Sequence, residues 1–215
     1  MNSPHACQAA LQLIAPSSLA LDADIGPLSM ALLEVLHKRQ SSRAYAPDDL
    51  PLYTLSRLLW SAFGVNRPQQ GGRTAPSARD GQEIDIYVAM RAGLYRFDPC
   101  RLVLDPVLDA DIRAQTGGQD FVAVAPVDLI YVANLDSAVA YPVTAMEQEF
   151  YAGFDTGCIS QNVYLFCAAE GLATVVRGAV DRPALAARMG LGPHQRVIAA
   201  QCVGHPASWR DAADN

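Results

Sequence analysis

From Pro126 to Ala133 the chain passes through Val127, Leu129, Ile130, Tyr131 and Val132, with Asp128 as the one charged residue. Side chains on a strand alternate faces, so a run this apolar needs cover above and below. It predicts the central strand of a sheet with a layer on each side. A second long stretch, from about Val143 to Glu170, predicts a helix closed by Gly171, which can take the left-handed conformation that a helix end often needs. Gly153 and Gly157, one turn apart, leave a groove where another helix can come close.

The other elements follow from periodicity. Leu28, Ala31, Leu32, Val35 and Leu36 recur at helical spacing up to Lys38, with Glu34, His37 and Lys38 for the wet side. Asp48, Asp49 and Pro51 announce a second helix, with Leu52, Leu55, Leu59 and Ala62 as its buried stripe and Gly64 near its end. Ile84 to Met90 alternates as a strand, Gly93 permits a turn, and Leu94 to Phe97 returns as the hairpin partner. Asp109 to Ala114 predicts a short helix, Leu172 to Val176 a strand, Asp181 and Pro183 the start of a helix ending near Gly190, and Val197 to Val203 a final strand. Strands and helices alternate without βαβ repetition, which predicts an α+β fold: a mixed sheet covered by helices. Residues 66–81 have no periodicity and read as a long loop, the kind that commonly carries function.

At 215 residues and 51% hydrophobic, one domain over residues 28–215 suffices, preceded by an arm over residues 1–27. The arm lacks Lys and Arg and is interrupted by Pro16, Ser17 and Ser18, so it does not read as a signal peptide. No apolar stretch is long enough to span a membrane. Five cysteines without CxxC spacing suit a reduced, cytoplasmic protein. The net charge of -6 leaves no basic stripe for nucleic acid, so any bound phosphate must meet a local cluster.

Three polar clusters interrupt the apolar segments. In Arg39-Gln40-Ser41-Ser42-Arg43, an extended backbone would place Arg39, Ser41 and Arg43 on one side, two guanidinium groups around a hydroxyl. That suits a phosphate clamp; a solvated basic helix end is the other reading. The segment from Gly71 to Gln82 joins flexible glycines, hydroxyls, Arg73, Arg79, Asp80 and an amide before a strand, suiting a flat ligand with many acceptors or an ordinary surface loop. In the third, Val175-Val176-Arg177-Gly178, the glycine lets backbone approach a ligand. No Ser/His/Asp arrangement, Walker loop or GxGxxG opening a helix is present.

Together and in this order the clusters resemble the FMN-dependent nitroreductase family. The resemblance also rests on LLWSAFGVNR from Leu58 to Arg67, on Arg73 to Ala78, on Ser160 to Tyr164, on Glu170-Gly171-Leu172 and on Val203 to Pro206. Within the family the chain is similar to the branch holding the SagB-type dehydrogenases. The resemblance implies a helix-sandwiched, largely antiparallel sheet, an intertwined homodimer, and one FMN in each of two interface sites. It implies that Arg39, Ser41 and Arg43 contact the phosphate, ribityl chain and pyrimidine edge. Pro76, Ser77 and Gln82 would lie along the ring, and the Gly178 N–H would point at flavin N5, with Arg177 nearby.

The implied activity is ping-pong hydride transfer from NADH or NADPH through N5 to a nitroaromatic, quinone or similar small acceptor. Oxidation of an azoline ring in a modified peptide, or flavin binding without turnover, are the alternatives. The chain departs from the family pattern at Asp80, where Asn is usual; a carboxylate only accepts hydrogen bonds, and its charge disfavours an anionic reduced flavin. Arg177 replaces a frequent Glu, and as a cation would offset Asp80 or bind an anionic substrate. For the second phosphate contact near the C-terminus only Arg210 offers itself. Trp60, Asn66, Tyr95 and Phe121 are open candidates for the substrate cavity.

Overall fold

The structure, a computed structural model, describes residues 19–21, 30–135 and 144–208. Its elements are β1 (Leu19–Ala20), α1 (Leu32–Lys38), α2 (Leu52–Phe63), β2 (Val65–Arg67), β3 (Gly72–Arg73), β4 (Ile84–Met90), β5 (Gly93–Asp98) and β6 (Val103–Leu108). Then come β7 (Val127–Asn134), α3 (Ala145–Glu170), β8 (Ala173–Arg177), α4 (Arg182–Met189) and β9 (Gln195–Gly204). Seven strands form one sheet in the order β1-β6-β5-β4-β7-β9-β8. Of the expected mixed, largely antiparallel sheet the antiparallel part is realised: every described ladder is antiparallel, and no parallel pair occurs among the described residues.

β7 lies inside the sheet between β4 and β9, and its alternation explains the apolar run. Leu129 and Tyr131 join Ile86 and Val88 of β4 against Leu58 and Leu59 of α2 and Ile159, Val163 and Phe166 of α3. Ile130 and Val132 join Tyr87 and Ala89 on the opposite face, against Leu185 and Met189 of α4. Each such buried side chain contributes on the order of 1.5–3 kcal/mol, so both layers are held by the same strand. The helix-sandwiched α+β architecture follows.

α3 begins on a reciprocal capping box: Thr144 Oγ1 accepts from the Glu147 N–H, and the Glu147 carboxylate accepts from the Thr144 N–H. It ends at Gly171, whose φ of 69° places it in the left-handed region. Unlike a surface helix, α3 is apolar on most sides, so its outer face leaves Met146, Phe150 and Phe154 exposed beside Gly153 and Gly157. α1 departs further from expectation. Leu28 of its predicted stripe lies outside the described residues; of the rest only Val35 is buried, while Leu32 and Leu36 face outward with Leu33, because no described element packs over them. Leu52 of α2 is likewise exposed, although Leu55, Leu59 and Ala62 are buried.

Two strand regions depart from the sequence reading. Residues 66–81 contain a small antiparallel pair, β2 with β3, followed by a 3-10 turn at Ala78–Asp80. β6 carries Pro106 opposite Tyr95 of β5; among the described residues its other side is paired only at Val103 and Leu104, the kind of edge position where proline is tolerated. The short helix expected at Asp109–Ala114 is a 3-10 turn at Arg113–Gln115. Among the described residues no helix is long and apolar enough to cross a membrane.

Candidate functional site

The first cluster covers the outer edge of β8. The Ser42 N–H donates to the Thr174 carbonyl at 2.9 Å, and the Tyr45 hydroxyl donates to the Ser42 carbonyl at 2.8 Å. From α3, the Tyr164 hydroxyl accepts the Val176 N–H at 3.0 Å and lies 2.9 Å from Ser41 Oγ. The Arg39 guanidinium sits 5.4 Å from the centre of the Tyr164 ring, within cation–π range. One tyrosine thus ties the Arg39–Arg43 segment to the strand leading to Gly178. Arg43 is exposed and makes no hydrogen bond or ion pair among the described residues.

Beside this segment is a cavity of about 410 Å³, lined by His37, Lys38, Arg39, Gln40 and Ser42 with Tyr164 and Thr174. Its wall therefore holds Arg39, while Ser41 and Arg43 lie outside it. His37 and Lys38, read from sequence as the wet side of a helix, bring further basic groups to the same place. Gly178 is exposed, and a Cβ built on it would meet no atom within 4 Å. Open space therefore lies before its backbone.

Arg177 corrects the sequence reading. Its side chain is 4% exposed and turns into the molecule, pairing with Asp128 Oδ1 at 3.0 Å and donating to the Thr116 carbonyl at 2.8 Å and the Thr116 hydroxyl at 3.0 Å. Alternation along β8 sends Arg177 to the face opposite Val176, so the guanidinium neither offsets Asp80 nor greets an anionic substrate. Burial raises the Asp128 carboxyl, while Arg177, Cys202 and Thr116 pull it back down.

The second cluster is internally bonded. Ser77 Oγ accepts from the Gln82 N–H at 3.0 Å, and Gln82 Oε1 accepts from Arg73 Nε at 2.9 Å. The Gln82 amide donates to Asp80 Oδ1 at 2.9 Å and to the Gly71 carbonyl at 3.1 Å. Asp80 is thus used as the acceptor that a carboxylate must be, and it stands exposed with Pro76. Arg79, Asp80 and Gln82 have φ of 55°, 56° and 50°. Three left-handed residues without glycine cost on the order of 1 kcal/mol or more each, and such strain collects where a loop has a ligand to meet.

Asp155 of α3 holds this loop from behind, accepting the Ala78 N–H at Oδ2 over 2.8 Å. Asp155 and Tyr164 are nine residues apart on one helix, about 13.5 Å along the axis and half a turn around it. Both are buried, at opposite flanks of the inward face. The first and third clusters therefore meet at one flank, and the second stands at the other.

Several participants escaped the sequence reading. Tyr164 lay in a quoted motif but had no assigned role, because nothing local says where a tyrosine hydroxyl points. Asp155 did leave a signal, a lone carboxylate between Phe154 and Thr156 in an apolar helical run. Trp60 and Asn66 line a second cavity of about 340 Å³ with Leu165 and Phe166. Tyr95 packs against the main core and Phe121 against Tyr45. Arg210 lies outside the described residues.

The nitroreductase family model matches residues 36–205, most of the chain. A Methanocaldococcus jannaschii protein, provisionally named a nitroreductase, is 34% identical over 69% of this chain and 78% of its own length. A crystal structure from Ralstonia eutropha, provisionally named likewise, is 42% identical with a TM-score of 0.84, covering 89% of this chain and 90% of the other. At the level of fold alone, the NADPH:FMN oxidoreductase of Vibrio harveyi, solved with NAD+, is similar with a TM-score of 0.61 at 17% identity. That match covers 81% of this chain and 68% of the other.

Proposed function

This chain belongs to the nitroreductase family, and on that premise we propose that it is an FMN-dependent oxidoreductase. It takes electrons from NADH or NADPH and delivers them to a nitroaromatic, quinone or similar small acceptor. The carrying observation is the division of the site across α3. Two half-sites at opposite flanks of one helix, whose outer face is apolar and interrupted by Gly153 and Gly157, call for a second copy of the chain. In such a homodimer the Arg39–Arg43 segment and Gly178 of one copy meet the Pro76–Gln82 loop of the other, and Met146, Phe150 and Phe154 become buried.

The residues present fit FMN. A phosphate needs cations, and Arg39 and Arg43, with Lys38 at the adjoining cavity, supply them. Ser41, fixed by Tyr164, retains hydrogen-bonding capacity for a ribityl hydroxyl. The open space at Gly178 admits a flat ring to a backbone N–H, while Pro76 and Ser77 from the second copy lie along it and exclude water. FMN, when bound, supplies the two-electron chemistry, receiving hydride from the nicotinamide and passing it to the acceptor. The protein's part is to position both partners and set the charge around the ring. The Vibrio harveyi enzyme's name supports the same donor and cofactor.

The test is a visible spectrum followed by anaerobic reduction. Purified protein, reconstituted with FMN if necessary, should be yellow, bleach with NADH or NADPH, and recover colour with a nitroaromatic or quinone. Colourless protein that takes up no FMN overturns the assignment. A yellow protein that neither nicotinamide bleaches removes the donor and favours an azoline dehydrogenase or a flavin carrier.

A further inference from the structure

We propose that the Glu83–Asp155 carboxyl pair is a positioning device that holds the Ser77–Gln82 loop in the shape that meets the flavin, a reading that rests on the flavin assignment above. Asp155 is 1% exposed and Glu83 6%. Asp155 Oδ2 takes the Ala78 N–H, while Asp155 Oδ1 and Glu83 Oε1 are buried without a hydrogen bond to another group. The other Glu83 oxygen lies directly under Gly81, where an added Cβ would stand 3.2 Å from it. The loop therefore rests on this pair at both Ala78 and Gly81.

Among the described residues no cation acts on either carboxyl. From the loop, Arg79 and Asp80 are exposed, and Arg79 acts on Glu147 instead. On β4, Asp85 answers to Arg96 and Arg73. From β7 the Asn134 N–H is donated to the Glu83 backbone carbonyl, and on α3 the neighbours of Asp155 in sequence and one turn away, among them Thr156, Tyr151 and Cys158, include no basic residue. Two buried carboxylates in contact cannot both stay ionised, so one keeps a proton. Burial pushes Glu83 up to about 7, against its own backbone N–H, and Asp155 adds to the push. Burial raises Asp155 too, but the Ala78 N–H and Glu83 favour its charged form. Glu83 is accordingly the proton holder and Asp155 the carboxylate that grips Ala78. When Glu83 releases its proton to solvent, repulsion falls on the exposed, strained loop above the pair.

The experiment measures amide hydrogen exchange at Ala78 in the full chain, with and without FMN, alongside the FMN dissociation constant from pH 6 to pH 8. After correction for intrinsic exchange, Ala78 protection should fall about tenfold across that range, and FMN should weaken in parallel. Glu83→Gln, which imitates the protonated acid, should flatten both responses. Asp155→Asn, which removes the charged neighbour, should flatten the repulsive response independently and covers the case in which Glu83→Gln does not fold. Level protection in wild type, or an undiminished fall in both variants, overturns the pair while leaving FMN binding intact. Protection that switches in a chain that binds no FMN overturns the flavin assignment and leaves the carboxyl pair standing.

Discussion

Behind Gly178 stands a buried cation with its anion, Arg177 on Asp128; behind the Ser77–Gln82 loop stand two acids, Glu83 and Asp155, with no cation between them. The first pair joins opposite charges, and against the upward push of burial Arg177 draws the Asp128 carboxyl toward its charged form. The second, on the proposal above, holds the loop only while one proton is retained. Two halves of one site are thus supported by opposite electrostatic means, one permanent and one conditional. The permanent half includes the backbone that would face the flavin ring, and the conditional half is the loop that a second copy would contribute.

The largest effect is expected at the ion pair. Arg177→Met leaves Asp128 buried and unpaired and should destabilise the protein by about 3–5 kcal/mol, read as a lowered denaturation midpoint in urea. Adding Asp128→Leu should recover much of the loss; a double variant no better than the single would mean that the pair contributes packing and not charge compensation. At the exposed end of the same half, Arg43→Ala should weaken FMN by about 1.5–3 kcal/mol in binding free energy, measured by fluorescence titration, with the fold unchanged.

The conditional half predicts a pH effect on folding itself. Glu83 binds its proton more tightly folded than unfolded, so its contribution is fully present below about 4.5, the ordinary Glu value, and is lost as pH rises through about 7. The loss is on the order of 2 kcal/mol once solvent screening is allowed for. Urea unfolding at pH 5 and pH 8 checks it, and Glu83→Gln should remove the difference between them. The smallest effect belongs to Asp80, whose carboxylate is exposed and already accepts from Gln82. Asp80→Asn should tighten FMN by no more than about fivefold.

How much was legible follows the same division. β7, α3 and β9 declared themselves because burial on two faces or along a long helix leaves periodicity that no other arrangement explains. β6 did not, since Pro106 and Val107, both exposed and adjacent, erase alternation on a strand whose far end has no second neighbour among the described residues. At the site, Arg39, Ser41, Arg43 and Gly178 could be grouped from sequence as parts of a family pattern, and they do gather at the β8 edge. Arg177 misled because its neighbour Gly178 faces open space while strand alternation buries the guanidinium. Glu83 and Asp155 meet across 72 positions of chain, by the difference of their numbers, so no local pattern joins them.

If two copies close the site, the mass of the particle and its flavin content must agree. Light scattering of the FMN-loaded protein, read with flavin absorbance, should give a dimer carrying one FMN per chain. A monomer that holds FMN would contradict it.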